Sequence, residues 1–430
     1  MNLTKPLAMI ALFQLRAIAL GLSLLVFSLA TARADIEVLV SVKFIHNNDG
    51  PNTRPGGNIG TVAGFGQEVT YGNTVLDATT RGYSITVVEY LDITPPAPAG
   101  APANVTGGTT NNSATVTCTN TAGLQNFMRV TGSGIPANTV VLSISANTGF
   151  TLSNNATATA NSVAIAANFP ADHWFNLPAR ATRQYIETTA LASRAVWRWN
   201  PGAINIYVNN SASGQCSFVG SGSSISLGGT VGTGTVLHEV GHIFNLQHTH
   251  ALDYATNTNP GAAMPPQPFT LSDLMDGDAL TETANDNPNI TTNNQLCQAL
   301  FGKNYNGATT TDAERASVDS AFQNVMSYHT EAVLLPVQMD IWTQNANGAR
   351  IGFCTGRTWF IANGGNNSSS GLTAALPLAT VASGFAHVST STPNDVVLLR
   401  AGSYAAPAGG VLSTPSTLRA TRGEATVHFP

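Results

Sequence analysis

The chain has 430 residues, of which 43% are hydrophobic and only 10% charged, and its formal net charge is −5. That length exceeds one ordinary domain and suffices for two or three, each with a sizeable core. Mild acidity without a basic stripe argues against nucleic acid as a partner, and the wealth of Gly, Ser, Thr and Asn suits a turn-rich exported protein better than a helical cytosolic one.

At the N-terminus, Lys5 and Arg16 precede an apolar run from Ala17 to Ala30 that closes on Ala32-Arg33-Ala34. A charged start, an apolar middle and a small-x-small ending describe a secretory signal peptide cleaved after Ala34. The run is short for a membrane anchor, and no later segment reads as a span. The mature chain is therefore expected to be secreted and extracellular. There Cys118, Cys216, Cys297 and Cys354 can oxidise, and one or two disulfides of open connectivity are expected.

Residues 36–45, IEVLVSVKFI, read as a buried strand, 67–83 as a helix and 84–93 as a second strand. The segment TPPAPAGAPA (94–103) has no period and reads as a linker closing the unit that begins at 35. Residues 104–168 are short alternating stretches between Gly and Asn turns, which predicts a small all-β module inserted into a larger unit. That unit resumes over 169–350 with helical character at 177–199, a strand at 203–210, an edge strand at 223–230 and a helix at 231–247. The final segment, 351–430, is β-rich. The fold class is α+β.

The stretch VLHEVGHIFNLQHTH (236–250) holds four of the nine histidines. Residues four apart share a helix face, so His238 and His242 point together with Glu239 beside them. This H-E-x-x-H spacing offers two imidazoles to one Zn2+ and a carboxylate next to the metal's open position. His248 joins them only if the chain turns sharply after the helix, and Asn245 stands where the turn is needed, Asn being the next best residue after Gly for a left-handed conformation.

The full pattern H-E-x-x-H-x-x-(G/N)-x-x-H resembles the metzincin zinc peptidases, with Asn245 in place of the commoner Gly. QNVMSYHTE (323–331) is similar to their Met-turn, with Met326 as its methionine and Tyr328 as the tyrosine some members set near the metal. Within the clan the closest likeness is to the pappalysin family. It rests on HEVGHIFNLQHTH, on GDALTETANDNP (277–288) with Glu282 where Asp is usual, on NVMSYHTEAVLLPVQMDIW, and on the strand INIYVNN. His250 occupies that family's Phe position and reads as non-ligating. His329 reads as a surface or supporting residue.

The resemblance implies a zincin-like catalytic domain over 35–103 and 169–350 acting on a protein or peptide substrate. His238, His242 and His248 would hold one Zn2+, Glu239 would act as general base, and Tyr328 would donate to the oxyanion. The edge strand at Ile225–Leu227 would pair with an extended substrate. Cleavage after Ala34 leaves little room for a cysteine-bearing pro-segment. Cys118 is then a candidate cap for the metal, against a plain buried or disulfide-bonded role. Asp273, Asp276, Asp278, Glu282 and Asp286 offer oxygen ligands for Ca2+, against a solvated acidic loop.

Two further resemblances concern the flanking parts. AGLQNFMRVTGSGIPANTVVLSISANTGFTLSNNATATA is similar to small β-modules of phage tail and bacterial surface proteins. DVVLLRAGSY (395–404) resembles the opening rungs of right-handed parallel β-helices of the pectin-lyase type, with room for about two turns; a small β-appendage is the alternative. They keep open a second function, that of a cell-surface or adhesion-type binding protein using the metallopeptidase domain as a scaffold and touching glycan or cell surface through its β-modules.

Overall fold

The computed structural model describes residues 36–48, 53–177, 179–212, 223–250, 274, 276, 278–287, 290–329, 332–346, 356–372, 376–388, 395–407, 417–420 and 425–428. The expected signal peptide, Cys216, Cys354 and Asp273 lie outside the described residues.

Strand β1 (Ile36–Ile45) leads through helix α1 (Val62–Ala78) to β2 (Tyr83–Ile93). Later β9 (Ile204–Ala212) and β10 (Ser224–Thr230) complete a sheet of order β10-β9-β1-β2, in which every neighbour is parallel. The near-continuous apolar run of β1 follows from this, because an inner parallel strand is covered on both faces. Val38, Val40, Val42 and Phe44 point to a core shared with Phe65 and Leu76 of α1 and with Leu237 and Val240 of helix α3 (Thr235–Ile243). On the other face Ile45 and Tyr207 pack with Trp174 and Trp197. Gly72 lets α1 and α3 approach closely, since a Cβ there would sit 3.3 Å from the Leu237 Cβ.

The inserted module is an antiparallel sheet built from β3 (Ala103–Thr109), β4 (Thr115–Thr117), β5 (Arg129–Thr131), β6 (Val141–Ser145), β7 (Gly149–Leu152) and β8 (Ala160–Asn168), in the order β5-β8-β3-β4-β7-β6. It has its own core around Val116, Met128, Val130, Val141 and Ile165. It docks on helix α2 (Ala179–Ala192) through Phe127, which stacks on Tyr185 at 3.8 Å, and through an Arg129–Asp172 ion pair at 2.9 Å. The segment expected as a linker is tied down at its start: Trp174 Nε1 donates to the Pro96 carbonyl at 2.9 Å and Asn48 Nδ2 to that of Pro95 at 3.3 Å. Helix α2 ends before the expected residue 199, and Arg198 adopts a left-handed φ of 50° in the turn that follows.

Beyond the sheet come α4 (Asn293–Phe301), α5 (Asp312–Phe322) and α6 (Pro336–Ala346). The C-terminal part contains β11 (Thr358–Ile361), α7 (Val381–His387), β12 (Val396–Leu399), β13 (Gly402–Ala405), β14 (Thr417–Ala420) and β15 (Ala425–His428). Here β11, β12 and β14 pair in parallel, and β13 pairs with β15 in parallel. Strand, turn, strand is thus repeated once and stacked on itself, over a core of Ile361, Leu378, Val397, Leu399 and Tyr404.

Three expectations change. Cys118 and Cys297 are both free and buried, each inside a local core, so neither forms a disulfide. Cys118 cannot cap a metal from there: it lies in the core of the insert, with its thiol donating to the Asn120 carbonyl at 2.9 Å. Strand β10 does stand at the sheet edge, but Ser224–Gly229 are buried, and Ile59 N–H already donates to the Gly229 carbonyl at 3.0 Å. Among the described residues no helix is long and apolar enough to cross a membrane.

Candidate metal centre

Helix α3 starts at a glycine and is capped from a distance. Gly234 has a φ of 93°, so the helix begins at Thr235 rather than at the expected residue 231, and Gly234 supplies no capping side chain. The carboxylate of Glu68, from α1, accepts the Gly234 N–H at 2.9 Å instead. Burial raises the Glu68 pKa and outweighs the lowering effect of the backbone N–H groups of Gly234 and Val236.

The helix ends in a Schellman turn. Leu246 N–H donates to the Gly241 carbonyl at 3.0 Å and Asn245 N–H to that of His242 at 3.1 Å, around the positive φ of 74° at Asn245. The expected left-handed Asn is therefore in place. The turn reverses the chain and brings His248 back over the helix. It also aims the Leu246 carbonyl at His242, whose Nδ1 donates to it at 2.7 Å.

His238, His242 and His248 converge, and each is buried. Their Nε2 atoms lie 3.2 Å (His238–His248), 3.2 Å (His238–His242) and 3.0 Å (His242–His248) apart. These contacts are not an ordinary hydrogen-bonded cluster. His238 Nδ1 lies 2.6 Å from the Val325 carbonyl, and a carbonyl only accepts, so both His238 and His242 carry their protons on Nδ1. Their Nε2 atoms then present acceptor lone pairs towards one common point. Burial, reinforced for His238 by neighbouring His242, pushes their pKa values down to about 3 and about 4, and lowers that of His248 as well, so all three are neutral at pH 7. Tetrahedral zinc with Zn–N distances of about 2.0–2.1 Å requires nitrogen separations of roughly 3.3 Å, close to those found. The three imidazoles can hold a metal ion. Glu239, on the same helix, is 3% exposed.

Beneath them lies Met326, fully buried. A Cβ at position 241 would meet its Sδ at 2.8 Å, so Gly241 is what lets the methionine seat under the helix. The Met326 turn is held by paired buried amides: Asn324 Nδ2 donates to Gln338 Oε1, and Gln338 Nε2 to Asn324 Oδ1, each at 3.0 Å. Asn324 Oδ1 also accepts the Met326 N–H at 2.9 Å. Removing the Gln338 amide takes two of the four hydrogen bonds of the buried Asn324 side chain, which keeps the Ser320 carbonyl and the Met326 N–H, and costs about 1–3 kcal/mol. Gln338→Ala is expected to lower stability by that amount, measured by urea unfolding; an unchanged midpoint would show that the amide pair does not matter.

Tyr328 projects from this turn over the site. Its ring centroid lies 4.9 Å from that of His248 and 5.9 Å from that of His238, and the residue is 36% exposed, so it is adjacent to the three histidines and partly open to solvent. His250 is not among the converging ligands; it stacks against His248 at 4.9 Å, nearly parallel.

Sequence reasoning missed the group that holds the third ligand's loop. Asp286 is fully buried and accepts from Thr249 Oγ1 at 3.0 Å, from Asn287 N–H at 2.7 Å and from His329 Nε2 at 2.9 Å. Burial alone would raise its pKa, but the hydrogen bond and charge of His329 prevail and hold it below the usual carboxylate value. Thr249 follows His248 directly, and its N–H donates to the Met326 carbonyl at 3.1 Å. Asp286 thus ties the His248 loop to the residue that follows Tyr328. The calcium expectation gains no support from the described residues, and Asp273 lies outside them. Asp286 spends its oxygens on Thr249, Asn287 and His329, while Asp276 and Asp278 accept from the backbone N–H groups of Ala279 and Leu280. Among the described residues, Asp276, Asp278, Glu282 and Asp286 form no group able to hold a metal. Burial instead raises the Asp278 pKa to about 6.

Asp286→Ala is expected to weaken zinc binding about 10- to 100-fold, the usual effect of losing a residue that orients a ligand. Competition against a chromophoric chelator measures it. Unchanged affinity would mean that Asp286 only stabilises the fold.

Compared with protein-family models, curated proteins and solved structures, the chain matches none.

Proposed function

We propose that the chain is a secreted zinc-dependent endopeptidase of the metzincin type, nearest in its motifs to the pappalysin family. The observation that carries the reading is the convergence of the His238, His242 and His248 nitrogens at 3.0–3.2 Å beside the buried carboxylate of Glu239. The left-handed turn at Asn245 and Met326 beneath the helix support it.

When bound, Zn2+ supplies Lewis acidity, polarising a peptide carbonyl and acidifying a water molecule. Glu239 takes the proton of the attacking water and passes it to the departing amine. Tyr328 donates a hydrogen bond to the oxyanion that develops on the scissile carbonyl. His238 and His242 are kept in the ligating tautomer by the carbonyls of Val325 and Leu246, so neither ring needs to turn for metal to bind.

The parallel stacking of β12 on β14 and β13 on β15 supports reading the C-terminal part as the start of a parallel β-helix, a form suited to glycan or cell-surface contact. Cleavage of a mixed peptide library by the purified chain tests the central reading. Endoproteolytic products that vanish on chelation support it. Intact peptides from a zinc-loaded chain would favour the surface-binding protein with an inactive scaffold.

A further inference from the structure

A second buried cluster lies on the face of the central sheet turned away from α3. Ser41 on β1 pairs with Glu89 on β2 and with Asn205 on β9, so these three side chains stand in one row across neighbouring strands. Lys43, two residues along β1, leans back towards that row. Its Nζ donates to the Ser41 carbonyl at 3.2 Å and to Asn205 Oδ1 at 2.5 Å, and it sits 5.3 Å from the centre of the Tyr207 ring. Ser41, Lys43 and Asn205 have no exposed surface, and Glu89 is 4% exposed.

The charges in this pocket do not favour a lysine ammonium. Arg419, reaching in from β14, donates to the Glu89 carboxylate at 2.9 Å, and Ser41 Oγ and Asn200 Nδ2 donate to it at 2.5 and 3.1 Å. Glu89 is thereby matched by Arg419, and no carboxylate is hydrogen-bonded to Lys43 among the described residues. Burial first, and then the Arg419 charge, push the Lys43 pKa well below its ordinary value, against a smaller raising effect of Glu89. A buried neutral amine is a nucleophile.

Its neighbour is an amide held still. Asn205 Oδ1 accepts the Asn200 N–H at 2.7 Å, and Asn205 Nδ2 donates to the carbonyls of Asn200 and Ala203 at 2.8 and 3.0 Å. The Asn200 N–H polarises the carboxamide and is placed to stabilise negative charge on its oxygen.

We infer that Lys43 and Asn205 join in an intramolecular isopeptide bond. Lys43 Nζ attacks Asn205 Cγ, and negative charge gathers on Oδ1 against the Asn200 N–H. The Cγ–Nδ2 bond then breaks, and Nδ2 leaves as ammonia with its own two hydrogens and one proton from Nζ. That proton passes from Nζ to Nδ2 while both nitrogens are bound to Cγ. One amine and one primary amide become one secondary amide and one ammonia, with no oxidant or reductant required. The product fastens β1 to β9, the two inner strands of the sheet, across 162 residues of sequence. This cross-link is independent of the metal site.

Peptide mapping with intact-mass measurement of the full, denatured chain tests it. The expected result is a mass short by one ammonia and a branched peptide joining the segments that contain Lys43 and Asn205. Lys43→Arg should restore the missing ammonia. Recovery of Lys43 and Asn205 in separate linear peptides from the unsubstituted chain would overturn the inference and leave a buried hydrogen-bond network. Loss of ammonia without the branched peptide, as from a cyclised asparagine elsewhere, would overturn it equally. Both readings come from the unsubstituted chain, so misfolding of a variant does not blur the outcome.

Discussion

Glu239→Gln is expected to bind zinc as the unsubstituted chain does and to lose about 10²–10⁴-fold in turnover, the range a positioned general base supplies. At about 1.4 kcal/mol per factor of ten, that is roughly 3–5 kcal/mol of the barrier. The substitution isolates the proton transfer. Gln matches Glu in size and in helix preference. The three imidazoles are oriented by the Val325 and Leu246 carbonyls and by the Asn245 turn, none of which involves Glu239. The kinetic effect should fall on kcat, with KM nearly unchanged, because the carboxylate acts on the water and the leaving amine. Normal turnover by this variant would remove Glu239 from the mechanism.

Removing the metal should have the other large effect. Chelation removes the ion that would join the three Nε2 atoms, which lie 3.0–3.2 Å apart inside a buried site. Turnover should disappear, and the unit containing α3 should unfold earlier. Zinc at a hundred times its dissociation constant stabilises the form that binds it by about 2.7 kcal/mol. For a unit of this size that corresponds to roughly 5–10 °C in the melting midpoint, at about 2–4 °C per kcal/mol. Differential scanning calorimetry before and after chelation measures it. Zn2+ should restore both properties and Ca2+ neither. Recovery with Ca2+ would contradict the use of Asp286 as an anchor for Thr249 and His329.

What was legible in the sequence was local. The run 36–45 read as a buried strand because only Glu37, Ser41 and Lys43 interrupt its apolar residues, and the i, i+4 spacing of His238 and His242 fixed their common face. Asn245 marked the turn because few residues accept a positive φ without strain. What escaped were pairings that no local pattern encodes. Asp286 meets His329 across 43 residues and Thr249 across 37, so local acid density suggested calcium where the fold builds an anchor. Asn324 and Gln338, 14 residues apart, were visible only as part of a resembling motif; their amide pair gives the physical reason for it. The cysteines were read through their compartment, yet Cys118 and Cys297 are each enclosed in a core of their own. β10 was read correctly as an edge strand, but its cover comes from residues far away in sequence, which a local pattern does not report. The row of Glu89, Ser41 and Asn205 exists only because three parallel strands come into register.

Zinc K-edge X-ray absorption on the purified chain tests the metal centre most directly. One zinc per chain, with three imidazole nitrogens at about 2.0–2.1 Å and one oxygen ligand, is the predicted result. A chain that binds no zinc, or binds it through sulfur, would contradict the assignment of His238, His242 and His248.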